Sequence, residues 1–475
     1  MTAPKRDQEK TVPPLQLCTF DVRRGRVEGQ EADRVLGFYP SCTDAIDQVS
    51  VVGLVQAMSA FSSIFDQENS CESMHAERSV WIIHECEPSL WLLLVAQRIW
   101  FSGPVRDEAL RETLKQLHAV GTLLHGPLQG LLDQDPSGGL AREALAGLMV
   151  QWGERLSSSK GALYQSLHNP LSGREGVPWL PLSRPLFTGV QALVSRLLVA
   201  QVGGAVPVQA ALLMHEHWCL WSSLDRADTA ALVRLASLTL LPAAHAAEQP
   251  SLGSRITSTL RWQEADRAAR HVLDRKAWHL VPPGFLMLQP PPGMDAACAA
   301  DLPQIWLQES GERCGLLGLR AGGCLLLLLL AERVAAGPDL CRSLAASALP
   351  SLTAIAHSTA AELSTANQWH IPSIRYVYMD DMLLAVRASP ASKAATLSRD
   401  SQALVHSVRA DLDAVALKGD SEVIVRGAHD CWVIAKRVAC RSIAIVLEGR
   451  GQENLSDAAN TADKYLRSHF EGLLE

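Results

Sequence analysis

Short runs of apolar and β-branched residues, separated by turn residues and followed by one-sided helical stretches, come in three groups along this chain of 475 residues. That order argues against one continuous barrel and points to several small sheet-and-helix modules. The last group is the plainest. Strands are predicted at Glu422 to Arg426, Asp430 to Lys436 and Ser442 to Leu447, with Gly427 and Arg441 as the breaks, and then a helix from Ser456 to about Phe470.

The first group opens with Leu15 to Val22, turns through Arg23, Arg24, Gly25 and Arg26, and resumes at Arg34 to Tyr39 before Pro40 stops it. Val51, Leu54, Val55, Met58 and Phe65 then repeat at helical spacing, with Asp47 or Ser50 as the amino-terminal cap. Leu54, Val55 and Met58 are expected to lie on the sheet. Strands follow at Ser73 to Glu77, Val80 to Cys86 and Leu90 to Ala96, and a second helix starts near Asp107 with Leu110, Leu114, Leu117 and Leu124 along one side.

Residues 157–184, broken by Pro170, Pro178 and Pro181, read as a linker or a surface excursion. The middle group has strands at Gln209 to Met214 and His217 to Ser222, a helix from about Asp225 to Leu240 and a long inserted loop near 241–280. Strands resume at Phe285 to Leu288, Gln304 to Gln308, Arg313 to Leu319 and Cys324 to Ala331, and Pro338 opens a helix. The third group pairs Ile374 to Met379 with Met382 to Arg387 across a turn of Asp380 and Asp381, then carries a helix with Leu404, Val408, Leu412 and Val415. The fold class is therefore α/β, with modules at 15–155, 185–366 and 370–475.

Charge and composition narrow the function. A net charge of −7 and a pI near 6.1 disfavour a nucleic-acid binder, which needs clustered Lys and Arg in excess. The first ten residues are polar, unlike a secretory signal, so a cytosolic location is expected. The apolar run Cys324 to Ala331, with six consecutive leucines, is far short of the roughly 20 residues that span a bilayer and reads as a strand buried on both faces. Eleven cysteines without a C-x-x-C pair indicate neither a disulfide framework nor a zinc ribbon. No phosphate loop, nucleophile elbow or H-E-x-x-H motif occurs, and His84-Glu85-Cys86-Glu87-Pro88 lacks the second histidine.

One constellation invites a metal. His215, His217 and Cys219 alternate at strand period and would share a face, which is the ligand set of a zinc hydrolase; the competing reading is a strand whose polar side meets solvent. Asp380 and Asp381 are better read as turn residues than as an acid-base pair.

The segment Leu15 to Pro40, with Glu28-Gly29-Gln30-Glu31 between two strands and Phe38-Tyr39-Pro40 at the end of the second, resembles the amino terminus of the Ccz family of vacuolar fusion proteins, especially its plant and algal members. Further blocks follow in order at Ser50 to Leu54, Cys71 to Leu94, Asp135 to Leu140, Arg375 to Asp381 and Ile424 to Lys436; residues 184–281 depart from the pattern. The resemblance implies three longin-like domains, each a five-stranded antiparallel-rich sheet flanked by helices. It also implies pairing with a Mon-family three-longin protein, the two acting as the exchange factor for a Rab-seven-class GTPase at late endosomes and vacuoles.

Such a factor needs no nucleophile, metal or cofactor, because exchange makes and breaks no covalent bond. Preferential binding of the empty GTPase weakens nucleotide binding reciprocally. On this view the first domain supplies the partner and GTPase surface, with Val52, Gln56, Ser59 and Ser63 on the helix side opposite Leu54, Val55 and Met58. Peripheral contact with membrane lipids is assigned to Lys436, Arg437 and Arg441 around one strand turn, each worth about 1 kcal/mol near an anionic surface. Two other classes compete: a longin adaptor without exchange activity in another trafficking assembly, and the zinc hydrolase.

Overall fold

Three separate β-sheets carry the chain, one for each group of strands. The computed structural model describes residues 13–65, 71–101, 105–158, 162–172, 176–199, 208–248, 272–288, 302–332, 334, 337–366, 373–394, 396–415, 419–428, 430–449 and 453–470. They form two compact units, one of Met1–Leu117 with Leu128–His168 and one of His118–Pro127 with Asn169–Glu475.

In the first unit, strands β1 (Leu15–Asp21), β2 (Val35–Tyr39), β3 (Ser73–His75), β4 (Ser79–Glu87) and β5 (Leu90–Gln97) form an antiparallel sheet in the order β2-β1-β5-β4-β3. Alternation along these strands sends Cys18, Phe20, Ile83, Leu93 and Val95 to one face, where helix α1 (Ala45–Ser62) lies across them. Helix α2 (Asp107–His125) carries two acids in its first turn and a histidine in its last, an arrangement that suits the helix dipole, and buries Leu110, Leu114 and Leu117. Helix α3 (Leu128–Gln134) starts where both Glu87 carboxylate oxygens accept from the amides of Leu128 and Gln129 at 2.8 and 2.7 Å.

Helix α4 (Gly139–Ser157) packs on β1 and β2 and was not anticipated in the sequence. Its Gly153 is required there: a Cβ would lie 2.4 Å from the Tyr39 ring. Helix α5 (Ala162–His168) closes the unit.

The second unit begins its regular structure with a short strand, β6 (Val177–Pro178), and helix α6 (Arg184–Val199), also unanticipated. Its first sheet contains β7 (Val208–His215), β8 (Trp218–Ser222), β9 (Trp278–Val281), β10 (Phe285–Leu288), β11 (Gln304–Trp306), β12 (Arg313–Ala321) and β13 (Cys324–Ala331). The order is β8-β7-β13-β12-β10-β9 with β11 also on β12, so this sheet has seven strands where five were expected. The leucine run of β13 is fully buried from Leu325 to Leu330, as its lack of alternation predicts; Leu326, Leu328 and Leu330 pack under α6 and the long helix α9 (Pro338–Ala366).

The helix after β8 is longer than expected. It runs as α7 (Arg226–Leu235), a π-helical turn over 236–240 and α8 (Leu241–Glu248), with Asp225 capping the first turn. Pro242 has no amide to donate, and the wider π turn just ahead of it accommodates that break. The inserted loop expected at 241–280 thus begins as helix, and its residues 249–271 lie outside the described residues.

The last sheet holds β14 (Ile374–Asp380), β15 (Ala385–Ala388), β16 (Ser421–Gly427), β17 (Cys431–Val438) and β18 (Arg441–Leu447) in the order β16-β17-β18-β14-β15-β6, six strands with β6 included. Besides a short turn of helix, α10 (Ala391–Ala394), helices α11 (Arg399–Val415) and α12 (Leu455–His469) cover its two faces. Met382, Leu383 and Leu384 were expected in a strand but form the β14–β15 turn. Asp380 accepts from the amides of Met382 and Leu383, both at 3.0 Å, and so wraps the chain one turn beyond the two aspartates.

By length and composition alone, α1 and the Arg226–Glu248 helix are each apolar enough to cross a membrane. Both pack against protein here, α1 through one side only.

Candidate functional site

Helix α1 is apolar around most of its circumference, and a sheet can cover only one side of a helix. Val52 and Val55, 1% and 0% exposed, take the inward side and join the core with Cys18, Phe20 and Phe38. Gln56 sits at the margin, where its side-chain oxygen accepts from Arg34 Nη1 at 2.8 Å, and Arg34 in turn holds the carbonyls of Arg24 and Gly25. Ser59 is half-buried beside it.

The outward side carries Leu54, Met58 and Phe61, spaced i, i+4 and i+7 and 48%, 39% and 56% exposed, and Phe65, 76% exposed, follows in the turn just past the helix end. Ile46 and Ile64 extend this apolar surface, and Phe61 and Phe65 pack edge to face at 5.1 Å.

The predicted docking set is therefore corrected. Val52 belongs to the core, Gln56 and Ser59 border it, and only Ser63 is exposed. Leu54 and Met58, expected on the sheet, face outward instead. The misplacement follows from equating apolar with inward on a helix that is apolar on both sides. The available signal was the surplus itself, since Leu54, Met58 and Phe61 form an apolar stripe on α1 that Val52 and Val55 do not need.

The basic trio on the last sheet is largely engaged within the fold. Arg437 Nη2 donates to Asp381 at 2.7 Å and Arg441 Nε donates to the buried Asp380 at 3.1 Å, while Lys436 sits opposite Glu422 in the strand register. The two aspartates that mark the turn in the sequence thus neutralise two of the three cations proposed for lipid contact.

The zinc constellation does not assemble. Glu216 and His217 form the β7–β8 turn, so His215 ends one strand and Cys219 lies on the next, and their strand-period alternation is lost. Burial holds both imidazoles below their usual pKa and pushes the Cys219 thiol up to about 12. Among the described residues no group of three His, Cys, Asp or Glu side chains is placed to hold a metal ion.

Residues 17–126 match the family model described as the first longin domain of INTU, CCZ1 and HPS4. The whole chain is similar to proteins named vacuolar fusion protein CCZ1 homolog. With homolog A of Arabidopsis thaliana the identity is 26%, covering 96% of this chain and 97% of that protein. With the protein of Oryza sativa subsp. japonica it is 28%, covering 96% of each. With that of Nematostella vectensis it is 24%, covering 98% of each.

Proposed function

We propose that this chain, which is similar to the Ccz vacuolar fusion proteins along 96% of its residues, serves vacuolar traffic and membrane fusion as one subunit of a heterodimeric guanine-nucleotide exchange factor. The other subunit is a Mon-family three-longin protein, and the target is a Rab-seven-class GTPase at late endosomes and vacuoles. The chain makes no covalent chemistry and is recruited to the membrane peripherally from the cytoplasm.

The outward stripe of α1 carries this reading. Large apolar side chains on one helix side, left exposed within a folded domain, mark a surface that another protein covers. The stripe lies on the domain that matches the first longin domain of the family model. Burying a Leu or Phe side chain there stabilises the complex by about 1.5–3 kcal/mol each before the cost of association is subtracted.

The experiment is binding of the reconstituted pair to the GTPase in its empty and nucleotide-loaded forms. Tighter binding of the empty form supports exchange, because that preference and nucleotide release are the same coupling free energy. A stable pair with no preference for nucleotide state leaves the adaptor reading instead.

A further inference from the structure

The segment between α5 and α6 does more than connect. Over four residues it runs as one extended strand along the edges of two different sheets. Val177 and Pro178 pair in parallel with Ala385 and Val386 of β15, and the Val177 amide donates to the Leu384 carbonyl at 2.5 Å. The next residue, Trp179, bridges Cys219 of β8 in parallel, and the Leu180 amide donates to the Cys219 carbonyl at 3.0 Å. Both β15 and β8 would otherwise present unpaired edges.

Side chains repeat the pattern of the backbone. Leu171 and Val177 are 0% and 2% exposed, Leu171 within the core of the last sheet, and Leu180 and Leu182 pack against the core of the middle sheet. Arg409 of α11 holds the approach by donating to the carbonyls of Pro170 and Ser172 at 2.8 and 3.3 Å. Gly176 lets the strand come close, since a Cβ there would lie 2.8 Å from the Val386 Cβ. A second tie lies beside the first: Arg226 of α7 donates to the Met382 carbonyl at the β14–β15 turn, at 3.0 Å.

We infer that residues 176–182, with Leu171 and Ser172 ahead of them, act as a clasp that makes the second and third sheet domains open and unfold as one cooperative body. An ordinary linker leaves two domains free to open separately. Here the last sheet loses its edge partner, and the middle sheet loses Trp179 and Leu180, whenever the same strand lifts. The clasp follows the first unit directly in the chain and owes nothing to the surface of α1, so it stands or falls apart from the proposed exchange activity.

Hydrogen exchange of the full-length chain across a denaturant series tests it. In the wild type, amides of β8 and β15 lose protection at one shared denaturant concentration. The Val177→Pro variant removes the donor to Leu384, and Gly176→Ala drives a methyl group toward Val386; each is expected to split that transition in two and to speed exchange at the edges about tenfold, the equivalent of one lost hydrogen bond. Two separate transitions in the wild type would overturn the inference, as would a single unsplit transition in both variants. Should a variant fail to fold, the wild-type series still decides between one opening unit and two.

Discussion

At the scale of single residues, Val52 and Leu54 stand two positions apart on α1 and meet opposite fates, 1% and 48% exposed. Val52→Ala removes two methyl groups from a packed core and is expected to cost about 2 kcal/mol. Leu54→Ala, on the open side, stays within about 0.5 kcal/mol of the parent. Urea unfolding of the full chain measures both, and equal losses would contradict the helix orientation. Cysteines supply a pH test. Burial pushes the thiols of Cys86, Cys219 and Cys324 up to about 12, while in the unfolded chain they ionise near about 8.5. Their folded pKa is the higher one, so their contribution to stability is whole below the unfolded value and is lost as pH rises from there toward 12. Unfolding midpoints are therefore expected to fall above about pH 8.5, and Cys219→Ala to shallow that fall. The same thiols should resist alkylation at neutral pH until the chain unfolds.

At the scale of elements, the outward stripe of α1 predicts a separation of effects. Replacing Leu54 and Phe61 together by serine is expected to cut binding of the Mon-family partner by more than about tenfold while unfolding midpoints stay close to the parent. Partner capture by the double variant at parental strength would remove α1 from the interface. Elements also show what a single sequence discloses. Strands β1, β5, β10, β13 and β16–β18 were legible because turn residues bracket them and β-branched or leucine-rich runs fill them. Helices α4 and α6 escaped notice; Gly147 and Gly153 inside α4, and Gly189 inside α6, are residues that normally argue against a helix interior. Gly153 is there for the Tyr39 ring, a tertiary reason that local propensity does not carry. The β14–β15 turn was placed too early, because Asp380 turns its side chain onto two following amides and lengthens the loop. For the candidate site the helix itself was legible, but its facing was not, since Leu54 and Val55 are equally apolar and only the sheet decides between them.

At the scale of the whole molecule, three sheets of five, seven and six strands give a scaffold whose described side chains assemble no metal site. What an exchange factor contributes is a surface with different affinity for two states of its target, and the free energy of that difference is what releases nucleotide. The sequence likeness runs through all three sheets rather than the first alone. On the proposed function the later domains take part as well, so a fragment ending at His168 is expected to fall short of the full chain in the exchange assay. The most direct measurement is release of a fluorescent guanine nucleotide from a Rab-seven-class GTPase, with this chain, its Mon-family partner, or both present. Release should quicken with the pair and stay at the intrinsic rate with this chain alone; an intrinsic rate in the presence of a stably formed pair would contradict the account.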